Sequence, residues 1–269
     1  MAIITISQGS YSGGSLLAEA VSQRLGYRCV DRDRVISKAA DWGVSQEDLR
    51  TAIEKAPRFF GQSLHTKYRY LAFIQAALTE EVRCGNTIYT GLAGHLLLGK
   101  GQHVLRTRII APMEFRVPMV EHRRQFSRKE AITYIERVDE ERRKWTRFLY
   151  GVDWTDPSLY DLVLNLEVMT LVDACDAICA LAESPCFRTT PETQADLNNL
   201  ALASCVKANL AMNSDTCDQE FEIAAQAGSI SIEGEIDTPG QAKKIRSIVE
   251  NISGVREVTL EELSLVARI

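Results

Sequence analysis

Residues 6–15 read Ile-Ser-Gln-Gly-Ser-Tyr-Ser-Gly-Gly-Ser and lie between an apolar, β-branched start and a helical repeat of apolar residues. A glycine-rich turn in that setting aims backbone N–H groups and a helix N-terminus at one point, which is a place for an anion. Gly9 and Gly14 hold the glycine spacing of the phosphate loop G-x-x-x-x-G-K-[ST], but Ser15 and Leu16 stand where its lysine and hydroxyl belong. Two readings stay open: a phosphate loop without its cation, or a plain strand-to-helix turn in which glycine supplies positive φ. A second group, in the basic stretch 136–147, sets Asp139, Arg142, Arg143 and Arg147 at helical spacing, so several guanidiniums can share a side. Such forks suit phosphate oxygens; the alternative is a solvated helix laced with ion pairs. A third group, Asp31-Arg32-Asp33-Arg34, follows a short strand, at the end where open α/β sheets bind ligands. It also reads as a helix start with Asp as N-cap.

Other chemistries find less support. The seven cysteines are irregularly spaced, with no Cys-x-x-Cys, and fit free thiols in a reducing cytoplasm. Cys175 and Cys179 could face a metal together, but Leu171, Val172, Cys175, Ile178 and Cys179 read as one apolar stripe facing a core. His65, His95, His103 and His122 lack ligand-type spacing. There is no Gly-x-Ser-x-Gly elbow. No apolar run is long enough to span a bilayer, and the N-terminus has no basic region of a secretory signal. A net charge of −5 argues against general nucleic-acid binding.

The elements that must position these groups alternate. The spacing predicts a strand at Ile3–Ser7, a helix at Leu16–Leu25, a strand at Arg28–Val30, and helices at 35–40, 46–54 and 68–83. Strands follow at 86–90 and 104–111, helices at 113–125 and 128–148, a strand at Leu162–Asn165 and a helix at 168–181. That rhythm is an α/β protein with a mostly parallel sheet. The 269 residues are 45% apolar and 25% charged, enough for one or two ordinary domains. Two prolines and a polar cluster make residues 184–196 a linker. Beyond it a helix at Ala195–Asn209, a hairpin turning at Ala227-Gly228, a helix after Thr238-Pro239 and a strand at Val255–Leu260 form a small α+β unit, α-β-β-α-β.

Residues 1–183 resemble the cytidylate kinase-like family of the P-loop nucleoside monophosphate kinase group. The resemblance rests on the 6–15 loop with Leu-Ala-Glu-Ala-Val-Ser-Gln-Arg-Leu-Gly-Tyr after it, then Asp31-Arg32 and Ala111-Pro-Met-Glu-Phe-Arg116. It continues through Asp139-Glu-Glu-Arg142-Arg143, Asp153-Trp154, Asp156-Pro157 and Tyr160-Asp161-Leu-Val-Leu-Asn165, in the family's order. It implies a parallel sheet flanked by helices and transfer of the ATP γ-phosphoryl, with Mg²⁺, to CMP, dCMP or a related acceptor. It places the phosphate cradle at Gly9, Ser12, Gly13, Gly14 and Ser15, and the monophosphate pocket at Asp31 and Arg34 with Arg116 near the phosphates. Arg137, Asp139, Arg142 and Arg143 become the lid. Ser15, Leu92 and Pro118 stand where the family's pattern has basic residues, and Pro118 is expected to interrupt its helix. A nucleotide-binding protein without catalysis is therefore the alternative expectation. The tail, 197–269, resembles a BON domain through Gly228-Ser-Ile-Ser-Ile-Glu-Gly-Glu-Ile236 and Ser253-Gly-Val-Arg-Glu-Val258, implying a protein or lipid ligand or a homo-oligomer contact. A cytoplasmic location is expected.

Overall fold

β1 (Ile3–Gln8) is apolar and β-branched along most of its length, and Ile3, Ile4 and Ile6 are fully buried. Burial on both faces is what a central parallel strand requires. The computed structural model describes residues 2–54, 64–91, 93–99 and 103–265; Leu92 lies outside the described residues. After β1 come α1 (Gly14–Leu25), β2 (Arg28–Asp31), α2 (Arg32–Ala39), α3 (Gln46–Glu54), α4 (Leu64–Val82), β3 (Thr87–Thr90) and α5 (Gly94–Leu97). β4 (Val104–Ile110), α6 (Met113–Arg124), α7 (Arg128–Tyr150), β5 (Leu162–Asn165) and α8 (Leu171–Ala182) follow. The chain ends with α9 (Pro191–Met212), β6 (Phe221–Gln226), β7 (Ser229–Ile236), α10 (Pro239–Glu250) and β8 (Glu257–Leu265).

Two compact units result. The first holds residues up to Arg34, the end of α3 from Ile53, and Cys84–Thr189; the second takes Val35–Ala52, the α4 helix and the chain from Thr190 onward. α4 and the part of α3 up to Ala52 thus group with the chain from Thr190 onward, α4 packing along α9.

In the first unit all strands are parallel in the order β2-β3-β1-β4-β5. The direction of winding reverses at β1, so its carboxyl end opens a crevice at the switch point. The core there joins Ile4, Ile6, Leu105 and Ile109 of the sheet to Leu17 and Val21 of α1 and Ile178 of α8. Cys175 and Cys179 are buried in it as expected, and burial pushes the Cys179 thiol pKa up. Val172 does not join the stripe: it is 67% exposed, because 100° per residue carries it past the edge of the inward arc. α6 and α7 enclose a smaller cluster of Val117, Val120, Ala131 and Ile135. Pro118 sits inside α6 without ending it. The helix forgoes one backbone bond at that point, and the buried valines on either side hold it against α7.

The second unit contains the sheet β6-β7-β8, with β6 and β7 antiparallel and β7 and β8 parallel. Ala227 and Gly228 both have positive φ (50° and 91°), the turn a tight hairpin favours. Val206, Ile230, Ile232, Ile245 and Val249 form its core. The expected linker is shorter than 184–196. α9 already begins at Pro191, because Thr190 caps it by accepting from the Thr193 N–H (3.2 Å) and proline suits the first turn. Thr190→Ala is expected to lower stability by about 1 kcal/mol in urea unfolding; an unchanged midpoint would mean that the helix gains nothing from starting there.

Candidate active site

The loop after β1 is shaped by glycines. Gly13 has φ 87°, and a Cβ there would also press on Leu166 at 3.3 Å. A Cβ on Gly9 would come within 2.7 Å of Ser12 Oγ, and one on Gly14 within 2.7 Å of Gln8 Oε1. Tyr11 adopts φ 62°, a strained state for a bulky residue. Ser12 N–H donates to the Gly9 carbonyl (3.0 Å), while the buried Ser12 Oγ has no partner among the described residues.

What holds this conformation comes from α6 and α7. Asp139 Oδ1 accepts from the Ser10 N–H (3.1 Å) and hydroxyl (2.9 Å), and its Oδ2 accepts from Arg116 Nη2 (2.5 Å). Arg116 Nε donates to the Ser10 carbonyl (2.7 Å), so both faces of that peptide are gripped. Arg124 Nε donates to Tyr11 Oη (3.0 Å), and the Tyr11 ring packs edge-on to Tyr134. Arg142 Nη1 donates to the Gln8 carbonyl (2.9 Å). Burial lowers the Arg142 pKa, and Asp139 pulls it back up.

Beside the loop, at the carboxyl ends of β1, β2 and β3, a cavity of about 230 Å³ is lined by Ser7, Gln8, Ser15, Asp31, Arg32, Asp33, Thr90, Gly91 and Arg142. Of the residues expected from sequence, Ser15, Asp31 and Arg142 line it. Arg34 does not; it is exposed and gives its backbone N–H to Asp31 Oδ1 (2.8 Å), a cap at the start of α2. Arg32, part of the same Asp31–Arg34 group but not placed in the pocket by the resemblance, takes the lining position. Gly9, Ser12, Gly13 and Gly14 build the loop. Arg116 and Asp139 clamp it from α6 and α7. Arg143 is held by Glu140 (2.5 Å) and lies 3.6 Å from Asp153, while the exposed Arg137 packs over the Tyr134 ring at 5.5 Å.

Behind the loop lies a polar cluster that no sequence spacing announces. Arg108 is only 7% exposed; its Nη1 donates to the Trp154 carbonyl (2.6 Å), and its guanidinium stacks 4.2 Å from the Trp154 ring. Arg142 also approaches that ring, at 5.8 Å, so one buried indole touches two cations. The Tyr160 phenol donates to the Trp154 carbonyl (2.7 Å) and lies 3.3 Å from Ser7 Oγ, and burial raises its pKa. Asp153 accepts from the Thr155 N–H (3.0 Å) and hydroxyl (2.7 Å), and Asp156 from the Ser158 N–H (2.8 Å), shaping the turn that presents Trp154. Asp161 is structural: it binds the Arg106 backbone and side chain, joining β4 to β5. The anion-loop conformation, the glycines a Cβ would foul and the Arg32 and Arg142 guanidiniums fit a nucleotide's phosphates. For Mg²⁺ the chain offers Ser15 Oγ and the Asp31 carboxylate; no cluster of three acidic, His or Cys ligands exists among the described residues. The metal would therefore be shared with phosphates and water.

A five-stranded parallel sheet in this order, a glycine loop at its switch point and arginine-bearing helices over the loop define the P-loop kinase fold. Residues 3–168 match the cytidylate kinase-like family, and the chain belongs to it. It is 31% identical over 185 residues to a cytidylate kinase of Methanothrix thermoacetophila, covering 66% of this chain and 99% of the relative. A cytidylate kinase of Ignicoccus hospitalis is 28% identical over 176 residues, 63% of this chain and 92% of that one. An uncharacterized protein from Eubacterium ventriosum shares the fold, with a TM-score of 0.51 at 17% identity over 68% of this chain and 99% of its own.

His95 is buried against Tyr160, their ring centroids 4.6 Å apart, and its two ring nitrogens have no hydrogen-bond partner among the described residues. Burial, with Arg106 and Arg108 nearby, lowers its pKa from 6.5 to about 4. The unfolded chain thus takes up this proton below pH 6.5 and the folded chain only near pH 4. Stability present above pH 6.5 is lost as pH falls through that window, by about 3 kcal/mol from this group. In urea titrations His95→Leu should flatten the decline between pH 6.5 and 4; parallel curves for both proteins would contradict it.

Proposed function

We propose that the protein is a nucleoside monophosphate kinase that transfers the γ-phosphoryl of ATP, with Mg²⁺, to CMP, dCMP or a closely related acceptor. The observation that carries this is the cavity at the switch point, where the glycine loop, Arg32 and Arg142 meet Asp31 and Asp33. The guanidiniums and loop amides suit phosphate oxygens. The carboxylates suit donors such as ribose hydroxyls and the exocyclic amine of cytosine. Phosphoryl transfer asks a protein chiefly for positioning and charge neutralisation, which this set supplies without an acid–base residue of unusual reactivity. Mg²⁺, when bound, would neutralise charge on the transferring phosphates. Arg142 holds the acceptor's phosphate, Ser15 and the loop amides hold the donor's, and the α6–α7 pair keeps the loop in shape.

A specific observation favours a second reading. Ser15 replaces the loop lysine, and Arg116 is already neutralised by Asp139, so the cation count at the phosphates is low. On that reading the chain binds nucleotide without turnover, and the α9–β8 segment acts as a BON-like binding module.

The deciding experiment measures ADP formation against a panel of nucleoside monophosphates. Turnover with CMP or dCMP is expected; binding of nucleotide without ADP formation would establish the second reading instead. Arg142→Ala should lower kcat by about 10²-fold or more, as for loss of one preorganised donor. Arg143→Ala should cost far less, its guanidinium being engaged by Glu140 and Asp153. Equal losses in the two variants would contradict the assignment of Arg142.

A further inference from the structure

The first amide of α1 does not face an open cradle. Gly14 N–H donates to Gln8 Oε1 at 2.7 Å, and Gln8 Nε2 donates to Ser15 Oγ at 3.3 Å. These are the only bonds the Gln8 amide makes among the described residues. The Gly14 amide lies at the positive end of the α1 dipole, the donor that an anion in this loop needs. The missing side chain of Gly14 makes room for the Gln8 amide itself, since a Cβ would stand 2.7 Å from its oxygen and 2.9 Å from its carbon. Gln8 is anchored at its backbone, whose carbonyl accepts from Arg142. With Gln8 on its wall the cavity measures about 230 Å³, below the range of about 300–1,000 Å³ usual for ligand clefts.

We propose that the Gln8 side chain is an internal occupant of the phosphate cradle, which a polyphosphate must displace, and that it thereby selects among phosphate ligands. This rests on the nucleotide reading above. A phosphate oxygen carries charge and forms a stronger hydrogen bond to an amide than a neutral carboxamide does, so displacement is downhill but costs affinity. Only ligands that reach Gly14 meet this cost. On this proposal a polyphosphate extends along the loop to Gly14, whereas a monophosphate held by Arg32 and Arg142 leaves the Gln8 contact in place. The other internal acceptor, Asp139 on Ser10, is locked by Arg116 and stays in place. Gln8 thus discriminates between the donor and the acceptor phosphate sites.

The test is calorimetric titration of the full chain and its Q8A and Q8E variants with pyrophosphate, ATP and CMP, with melting curves confirming that each is folded. Q8A should bind ATP and pyrophosphate about three- to tenfold more tightly, the worth of one neutral hydrogen bond, and CMP within about twofold of the parent. Q8E, isosteric but charged, should bind both polyphosphates more weakly than the parent. Opposite effects of the two variants are not what a purely structural glutamine would give. Unchanged or weaker polyphosphate binding by Q8A would overturn the proposal. In the parent protein, pyrophosphate should shift the Gly14 amide and Gln8 side-chain amide NMR signals together. Binding with the Gln8 signals unmoved would overturn this inference alone, whereas no binding by any of the three proteins would overturn the nucleotide reading with it.

Discussion

One carboxylate organises the site. Asp139, carried on α7, takes the N–H and hydroxyl of Ser10 while paired with Arg116 from α6, which in turn grips the Ser10 carbonyl. A partly buried ion pair gains little by itself after desolvation, and removing one partner leaves the other uncompensated. Here the remaining lone pairs and protons are spent on the loop backbone, so the pair stabilises a conformation that glycine alone would leave loose. Tyr11 at positive φ is tolerated because Arg124 and Tyr134 hold it from the same two helices. The α6–α7 pair, with its own apolar cluster, is thus part of the loop's architecture.

The second constraint is charge. Ser15 follows Gly14 where the phosphate-loop pattern has a lysine, and the arginines on the cavity wall are Arg32 from α2 and Arg142 from α7. Trp154 steadies this arrangement: its ring meets Arg108 from within the fold and Arg142 at the cavity. Arg108 makes no ion pair among the described residues, an expensive state for a residue 7% exposed. The Trp154 carbonyl and ring, with the Tyr160 phenol, are what compensate it.

The β1–loop–α1 unit was readable because its signals are local: a β-branched run, glycines where the chain turns, then helical periodicity. The hairpin at Ala227-Gly228 and the buried Cys175–Cys179 face were legible for the same reason. The site was less so. Asp31 and Arg142 follow from the family's order of segments, but choosing Arg32 over Arg34 depends on where the first turn of α2 begins. The Ser7, Arg108, Trp154 and Tyr160 cluster joins residues up to 153 positions apart, and no periodicity links them. Val172 and the start of α9 show the same limit at smaller scale. One depends on which arc of α8 meets the sheet, the other on a capping threonine that reads as linker composition.

On the proposed function, the loop after β1, held by α6 and α7, receives the phosphates of a nucleotide whose charge Arg142 and Arg32 balance. A crystal structure with CMP and a non-hydrolysable ATP analogue tests it most directly. Donor phosphates should lie on the amides of residues 13–15 and the acceptor phosphate against Arg142 and Arg32, with Asp139 still on Ser10. Phosphates bound away from this loop, or Arg142 turned from them, would contradict it.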